Sequence, residues 1–303
     1  MTEARAPQPS PRPPDDTVGL RGDSRPKFLA SSIRVLELTL GEMLWSRRTV
    51  FMLLVVGGPV LIACLLRLLA SLDLTPFGGD GGGSQPRVTG PAIFGLMVWG
   101  FYLRFTVPVL GVFYGTSLIA NEVEDKTITY LFTRPVSRGA VLVGKYLGYL
   151  VCTSVVVLPS VTVVYFVIVP VLGGGVGENF PTFVTDLGLL VLGLAVYGAL
   201  FAFVGAWFKH PLLTGLIFVF GWEPATMLIP GYMKSFTVSY YLQGLVPHAM
   251  PQEGAMSLIR SLVQAFQTPT SVWSNLAWLV VIWLSALVMA VWAVEHREYV
   301  LEQ

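Results

Sequence analysis

The sequence predicts an all-α membrane protein with six transmembrane helices, an amphipathic helix before the first span, and a short cytoplasmic helix between the second and third spans. Hydrophobic residues make up 54% of the 303 residues and charged residues only 12%, whereas soluble domains carry about 25% charged residues. Six apolar runs come close to or exceed the roughly 20 residues that cross a bilayer as a helix. Lipid must therefore solvate much of this chain, because one globule cannot bury so much apolar surface.

The polar, proline-rich residues 1–27 predict a disordered cytosolic tail, and residues 28–303 predict a single six-span domain. Within Ser32–Arg48, four apolar residues recur at helical spacing, namely Ile33, Leu36, Leu40 and Leu44. Such a helix suits the inner membrane surface, with Trp45 at the headgroup level. A cytosolic continuation of the first span remains the alternative.

The six predicted spans are separated by polar or glycine-rich loops. They are Val50–Ala70, Ile93–Ala120, Leu142–Leu172, Leu187–Trp207, Leu212–Pro230 and Val272–Val294. The second and third are longer than a bilayer requires, so they must tilt or project into water. Internal glycine and proline residues are tolerated in membrane helices and kink them.

Lysine and arginine residues set the predicted orientation. With the N-terminus inside, fourteen of them fall on inner segments, and only Arg87, Lys234 and Arg260 fall on outer loops. Both termini are therefore predicted to be cytoplasmic, in a multi-pass protein of the plasma (inner) membrane. The long last outer loop, Gly231–Ser271, contains the stretches SFTVSYYLQGL and MSLIRSLVQAF, which predict short helices at the outer leaflet.

Aromatic residues gather near the predicted span ends. This distribution is typical of an interfacial belt rather than of a ligand cage. The residues are Trp45, Tyr102, Tyr165, Trp207, Tyr240, Tyr241, Trp273 and Trp278.

The segment Glu122–Lys145 is the only strongly polar interruption between two long apolar runs. Its residues Thr127–Thr133 predict one or two helical turns, with Ile128, Leu131 and Phe132 on an apolar side. Pro135 ends these turns because proline cannot continue the hydrogen-bond ladder. This intracellular bridge is predicted to present charges and an apolar side to a soluble partner. By charge pattern alone, an ordinary solvated loop with membrane-anchoring charges fits equally well.

One run in the bridge resembles the cytoplasmic signature of type-2 ABC exporter permeases. It comprises Glu122, Thr127, Tyr130, Leu131, Arg134, Pro135, Val136, Ser137, Arg138, Gly144 and Lys145. The resemblance covers about Ser32–Val300, although only the bridge is specific. Lys126 departs from the pattern, since the family often has glycine before the threonine. This departure affects the local turn rather than the role of the bridge.

The resemblance implies that the amphipathic helix is an elbow helix and that the bridge is a coupling helix seated on a separate ATP-hydrolysing subunit. The coupling residues it implies are Glu122, Thr127, Leu131, Phe132, Arg134, Pro135, Arg138 and Lys145. It also implies a second permease, as a homodimer or heterodimer. ATP and Mg²⁺ would be bound by the partner subunit, with no cofactor in this chain.

The segment Gly139–Tyr146 nearly fits the phosphate-binding pattern GxxxxGK[ST]. Tyr146 replaces the hydroxyl residue that binds magnesium, and no strand precedes the segment. A phosphate cradle requires an exposed glycine-rich turn, whereas this stretch reads as a helix entering a membrane. The sequence therefore predicts no nucleotide site here, and the ATPase must be another polypeptide.

Three ionisable residues lie inside the predicted spans, where charges are costly and face protein or water. Arg67 is near the outer end of its span and is predicted to snorkel. Arg104 and Glu223 lie roughly 22 Å and 16 Å from the inner boundary at 1.5 Å per residue, a difference that a long arginine side chain bridges. We predict that they pair between helices or line a substrate path. Separate satisfaction by backbone, water or headgroups is the alternative.

These features favour a transport permease without catalytic residues of its own, which exports a substrate. An intramembrane enzyme would need a paired acid and base or a metal motif at one depth, and the sequence shows none. A secondary transporter is disfavoured because no inverted repeat is visible. A permease-like membrane anchor or assembly subunit of an envelope machine remains the alternative. The net charge of +1 provides no field to attract nucleic acid.

Overall fold

The computed structural model describes residues 47–72, 89–118, 138–171, 174–228, 232–246 and 271–296, and their regular structure is helical throughout. The predicted all-α class is therefore confirmed for these residues. Residues 32–46 of the predicted elbow helix Ser32–Arg48 lie outside the described residues, and its last two residues, Arg47 and Arg48, begin the first described helix. The short helix of the bridge and the second outer-loop helix (MSLIRSLVQAF) also lie outside the described residues.

The helices are numbered in chain order. They are α1 (Arg47–Ser71), α2 (Gly90–Gly115), α3 (Arg138–Ile168), α4 (Phe180–Trp207), α5 (residues 211–228), α6 (Val238–Gln243) and α7 (Val272–His296). A 3₁₀ turn, Tyr232–Phe236, precedes α6. This turn and α6 confirm short helical structure in the stretch SFTVSYYLQGL.

Within the described part of the chain, five helices are long and apolar enough to cross a bilayer, namely α1, α2, α3, α4 and α7. The predicted fifth span corresponds to α5, which is not among these five, so its crossing stays a prediction. Helix α4 begins at Phe180, earlier than the predicted Leu187, because Pro181 suits the first turn of a helix. Helix α3 ends at Ile168, before the predicted Leu172.

Helices α2 and α4 form the centre of the bundle. Their most apolar windows are 67% and 61% buried, against 28% for α1 and for α7. Helix α4 packs on α2, α3 and α7, whereas α1 packs mainly on α3. The exposed sides of α1 and α7 carry large apolar residues such as Leu54, Leu61 and Val288, as expected for surfaces that face lipid.

Glycine residues allow α2 and α4 to approach closely. A Cβ atom on Gly111 would lie 3.0 Å from Cβ of Tyr197, and one on Gly205 would lie 2.4 Å from the backbone oxygen of Thr116. Gly111 and Gly115 form a GxxxG pair, a spacing that brings membrane helices into contact. Side chains of α4, such as Tyr197 and Phe201, therefore pack directly against the glycine residues of α2.

Tyrosine hydroxyls connect several helices inside the bundle. Trp283 Nε1 of α7 donates to the Tyr146 hydroxyl at 2.7 Å, and Tyr146 donates to the Ala195 carbonyl of α4 at 2.8 Å. Tyr102 of α2 and Ser160 of α3 share a hydrogen bond of 2.6 Å. The interfacial assignment was wrong for Tyr102, Tyr165 and Tyr241, since all three are buried against protein.

Helix α6 folds back against the bundle and reaches the middle of α4, at Gly193. Its residues Val238, Tyr241 and Leu242 are buried, and the Tyr241 ring stacks on Trp278 of α7 with centroids 6.3 Å apart. A Cβ atom on Gly193 of α4 would lie 3.5 Å from Cδ1 of Leu242. The short helix is therefore held against α4 and α7, beside the carboxyl group described next.

Candidate functional site: an intramembrane polar cluster

The two intramembrane charges predicted from the sequence lie at wide, π-helical turns. Arg104 belongs to the π segment Val98–Thr106 of α2, and Glu223 directly follows the π segment Phe218–Trp222 of α5. In both helices the residue after the segment donates its N–H to the carbonyl five positions earlier. The pairs are Val107 to Tyr102 and Glu223 to Phe218.

Proline accounts for the position of both segments. Pro108 and Pro224 each follow one residue after that five-residue hydrogen bond. A proline has no N–H to donate, and its ring clashes with the carbonyl four positions earlier. Widening the preceding turn relieves this clash, and single wide turns of this type are frequent at functional sites. Glu223 and Arg104 are thus carried by locally distorted backbone.

Glu223 is buried, with 5% of its surface exposed. The Tyr197 hydroxyl of α4 donates to Oε1 of Glu223 at 2.6 Å. The backbone N–H of Ser239, in the first turn of α6, also donates to this carboxyl group. Two donors from different helices therefore satisfy a carboxyl group that would be costly to bury alone.

Arg104 lies half-buried beside these residues and interacts electrostatically with both Glu223 and Tyr197. Its guanidinium carbon lies 5.9 Å from the ring centroid of Trp99, within the range of a cation–π contact. The structure thus gathers Arg104, Tyr197 and Glu223 into one cluster, called here the polar cluster. A direct ion pair between Arg104 and Glu223 stays a prediction, as does a role in a substrate path.

The contacts between α2 and α5 explain how the two charges come to the same level. A Cβ atom on Gly215 would lie 3.0 Å from Val112, and the rings of Phe105 and Phe220 are 6.2 Å apart. These contacts show that the two helices run antiparallel. Arg104 lies one residue before Phe105 and Glu223 lies three residues after Phe220, so in this antiparallel pairing both charges lie just beyond the contact between the two rings.

Sequence reasoning missed Tyr197, the principal donor to Glu223. A tyrosine in the run GLAVYGALF carries no periodic or charge signal that separates it from core aromatics. The sequence signal beside it is Gly198, since a glycine inside an apolar helix indicates close packing. In the structure, a Cβ atom at Gly198 would lie 2.2 Å from Tyr149 Cε1.

The predicted coupling residues are described only in part. Glu122, Thr127, Leu131, Phe132, Arg134 and Pro135 lie outside the described residues. Arg138 begins α3, and Lys145 lies two turns further along, where its Nζ donates to the Leu118 carbonyl near the end of α2 at 3.3 Å. This bond joins the two helices on either side of the bridge. The stretch Gly139–Tyr146 is helical, as predicted.

Metal-binding residues do not gather in the part of the chain that the structure describes. Within it, no group of three His, Cys, Asp or Glu side chains lies close enough to hold an ion. The polar cluster offers a single carboxyl group to a cation, together with an arginine that would oppose it. Its chemistry is therefore that of hydrogen bonding and charge recognition.

Comparison with known proteins agrees with this architecture. No curated protein matches the chain in sequence. The family model described as ABC-2 family transporter protein matches residues 18–298, which include every described helix. A bundle of apolar helices that matches this model over nearly its whole length belongs to the ABC-2 family of transporter proteins.

Proposed function

We propose that the chain is the transmembrane permease subunit of an ABC exporter, which moves a substrate across the plasma membrane while a separate subunit hydrolyses ATP. The observation that carries this proposal is the family match over residues 18–298, in a chain with five described membrane-length helices. A second permease completes the transporter, as the resemblance in the bridge implies.

The bond between Lys145 and Leu118 supports the proposed route of coupling. It holds the start of α3 against the end of α2, the two helices that precede and follow the bridge in the sequence. A cation at the C-terminal carbonyls of a helix is also favoured by the helix dipole. Movement of the bridge by an ATPase is therefore passed to both helices together rather than absorbed by one.

The wide turns support the proposed switch between inward-facing and outward-facing states. Both α2 and α5 contain π segments next to prolines, so their hydrogen-bond ladders are already interrupted at the depth of the polar cluster. Rearranging such a turn breaks fewer backbone bonds than bending a regular helix. The bridge then drives movement of α2, and the polar cluster links this movement to α4 and α5.

Co-purification tests the docking step. In the double variant L131D/F132D, two carboxylates are placed on the apolar side of the bridge, and we expect the tagged permease to reach the membrane but to lose its ATPase partner. The matched control T129D/T133D adds the same charge away from that side and should retain the partner. If L131D/F132D stays assembled at wild-type stoichiometry, the docking role of the bridge is wrong.

Site-directed labelling tests the orientation. A T129C variant in a C64S background, treated with a membrane-impermeant maleimide, should be labelled in inverted vesicles but not in intact cells. Labelling from outside intact cells would place the bridge on the wrong side of the bilayer for an ATPase. Stimulation of ATP hydrolysis by a transported molecule then separates a transporter from a membrane anchor.

A further inference from the structure

The π segment of α2 is longer than the proline that follows it requires. In α5, the π segment Phe218–Trp222 covers five residues and ends two positions before Pro224. In α2, the π segment Val98–Thr106 ends at the same distance before Pro108 but covers nine residues. By comparison with α5, the proline accounts for only the last five of these nine residues. The wide hydrogen-bond pattern of the first four residues is therefore not imposed by Pro108.

Thr106, the last residue of this segment, has an unpaired hydroxyl. Its side chain is fully buried, with 0% exposed, and Oγ1 has no hydrogen-bond partner among the residues that the structure describes. Four other threonine hydroxyls in the helices donate to the carbonyl four positions earlier. They are those of Thr153, Thr162, Thr185 and Thr214.

The wide turn explains why Thr106 differs from these threonines. The carbonyl four positions before it is that of Tyr102, which accepts the N–H of Val107 in the five-residue bond. In a regular helical turn, a threonine hydroxyl reaches this carbonyl. A buried hydroxyl without a partner is unfavourable, so the wide pattern leaves Thr106 at a cost that a regular turn would remove.

The contact between Trp99 and Arg104 also depends on the wide pattern. The guanidinium carbon lies 5.9 Å from the centroid of the Trp99 ring, although the two residues are five positions apart. In a regular α-helix with 3.6 residues per turn, residues five apart point about 140° away from each other. A wider turn reduces this angle, because each residue then rotates the chain by less. The contact is therefore a marker of the long π segment.

We infer that α2 alternates between two hydrogen-bond patterns and that Thr106 stabilises the second one. In the first pattern, which the structure describes, the π segment is long, the Thr106 hydroxyl is unpaired and Arg104 contacts Trp99. In the second pattern, the π segment shortens to the part next to Pro108, the Thr106 hydroxyl donates to the Tyr102 carbonyl, and Arg104 leaves Trp99. This inference rests on the proposed function, in which the bridge moves α2, and it names the part of α2 that changes.

The exchange keeps the hydrogen bonds of the backbone. Each N–H concerned replaces a carbonyl five positions earlier by one four positions earlier, and the Thr106 hydroxyl gains a partner. Arg104 also interacts with Glu223 and Tyr197, so its departure from Trp99 changes the arrangement of the polar cluster. Movement of the bridge, which follows α2 in the sequence, thus reaches the polar cluster through this segment.

Unfolding midpoints of the full-length permease in detergent test the unpaired hydroxyl. T106V replaces the hydroxyl by a methyl group of similar shape, so the midpoint should rise by about 2–4 °C. T153V is the matched control, because Thr153 is also 0% exposed but donates to the Tyr149 carbonyl at 2.8 Å. Its midpoint should fall by a similar amount. A T106V midpoint at or below that of the wild type shows that the hydroxyl is bonded, by water or by protein, and overturns the inference.

Fluorine NMR tests the two patterns in the wild-type chain. The permease is labelled with fluorotryptophan and placed in nanodiscs, and the Trp99 resonance is identified by its absence in W99F. Saturation transfer should reveal a second Trp99 state, at the chemical shift that Trp99 takes in R104Q, where the guanidinium is absent. T106V should reduce the population of this state about tenfold, the scale of one hydrogen bond, and T106S, which keeps the hydroxyl, should retain it. A single Trp99 state in the wild type, or a second state that T106V leaves unchanged, overturns the inference.

The complex with the ATPase tests the link to transport. A non-hydrolysable ATP analogue should increase the second Trp99 state in the wild-type complex, and T106V should lower the stimulation of ATP hydrolysis although it is the more stable protein. T153V should keep this stimulation. An unchanged Trp99 spectrum in an intact complex contradicts the link between the bridge and this segment. The measurements on the permease alone need neither ATP nor the ATPase, so their failure is distinguishable from loss of the ATPase in the co-purification assay.

Discussion

Tyr197 and Glu223 are joined by a hydrogen bond of 2.6 Å from the phenol to carboxyl oxygen Oε1. The two residues lie on α4 and α5, 26 positions apart in the chain. Both side chains are buried, so loss of the bond leaves a buried carboxyl oxygen with one donor fewer. This contact therefore fixes the direction of the carboxyl group and ties α5 to the central helix of the bundle.

Removing the hydroxyl in Y197F should destabilise the permease by about 1–3 kcal/mol, because the carboxyl group stays buried and loses a donor. The measurement is the midpoint of thermal unfolding in detergent. Y149F is the matched comparison, since Tyr149 is equally buried but its hydroxyl donates to a backbone carbonyl, that of Leu194, at a longer 3.3 Å. A Y197F protein no less stable than Y149F would show that the bond contributes little.

The close approach of α2 and α4 predicts a strong effect at one glycine. In G205A the new methyl group would lie 2.4 Å from the Thr116 backbone oxygen, and backbone cannot rotate away as a side chain does. We expect a loss of about 1–3 kcal/mol, the usual range for an overpacked core, together with a lower unfolding midpoint.

The matched control is G188A on the same helix, where a Cβ atom meets nothing within 4 Å. Alanine is the better helix former, so this variant should be as stable as the wild type or slightly more stable. Equal stability of G205A and G188A would mean that α2 and α4 can move apart to accommodate the methyl group without loss of stability.

The bounds of most membrane-length helices could be predicted from the sequence to within a few residues. A long apolar run in a bilayer must be helical, because its backbone polar groups have to form hydrogen bonds within the helix. The largest difference between predicted and observed helix bounds is at the start of α4, where Pro181 and Asp186 lie in the first two turns. Proline and aspartate are typical of loops, so the sequence alone does not indicate that Asp186 is buried within the helix.

The polar cluster could be predicted only in part. Arg104 and Glu223 stand out because charge is rare in apolar sequence. Tyr197 does not, because a tyrosine among Leu, Val and Phe is equally typical of core packing. The same ambiguity produced the error at Tyr102, whose hydroxyl bonds to Ser160 within the bundle rather than to the membrane surface. Which tyrosines carry an interhelical bond depends on helix pairing, which periodicity does not encode.

Lys145 allows the coupling route to be tested apart from docking. K145M keeps the aliphatic length but removes the donor to the Leu118 carbonyl, so α2 and α3 lose a link beside the bridge. We expect the ATPase to remain bound while the stimulation of ATP hydrolysis by the permease falls about tenfold, which corresponds to one charged hydrogen bond. K209M removes an exposed lysine between α4 and α5 and should leave hydrolysis unchanged. Loss of the ATPase itself from K145M would instead assign Lys145 to docking.

A charge exchange tests whether Arg104 and Glu223 act as a pair. R104E would place two carboxyl groups in the polar cluster, and E223R would place two guanidinium groups there, so each single variant should lose about 3–5 kcal/mol, as buried pairs do when one partner is changed. The double variant R104E/E223R restores opposite charges on the same two helices. It should recover about half of the loss, since the Tyr197 hydroxyl can accept a hydrogen bond from an arginine but the Ser239 N–H cannot.

The combination R67E/E223R is the control, because Arg67 is exposed on α1 and a carboxyl group there should not restore stability. The measurement is the midpoint of thermal unfolding. If the double variant is no more stable than the less stable single variant, the two charges do not pair, and each interacts separately with backbone, water or lipid headgroups.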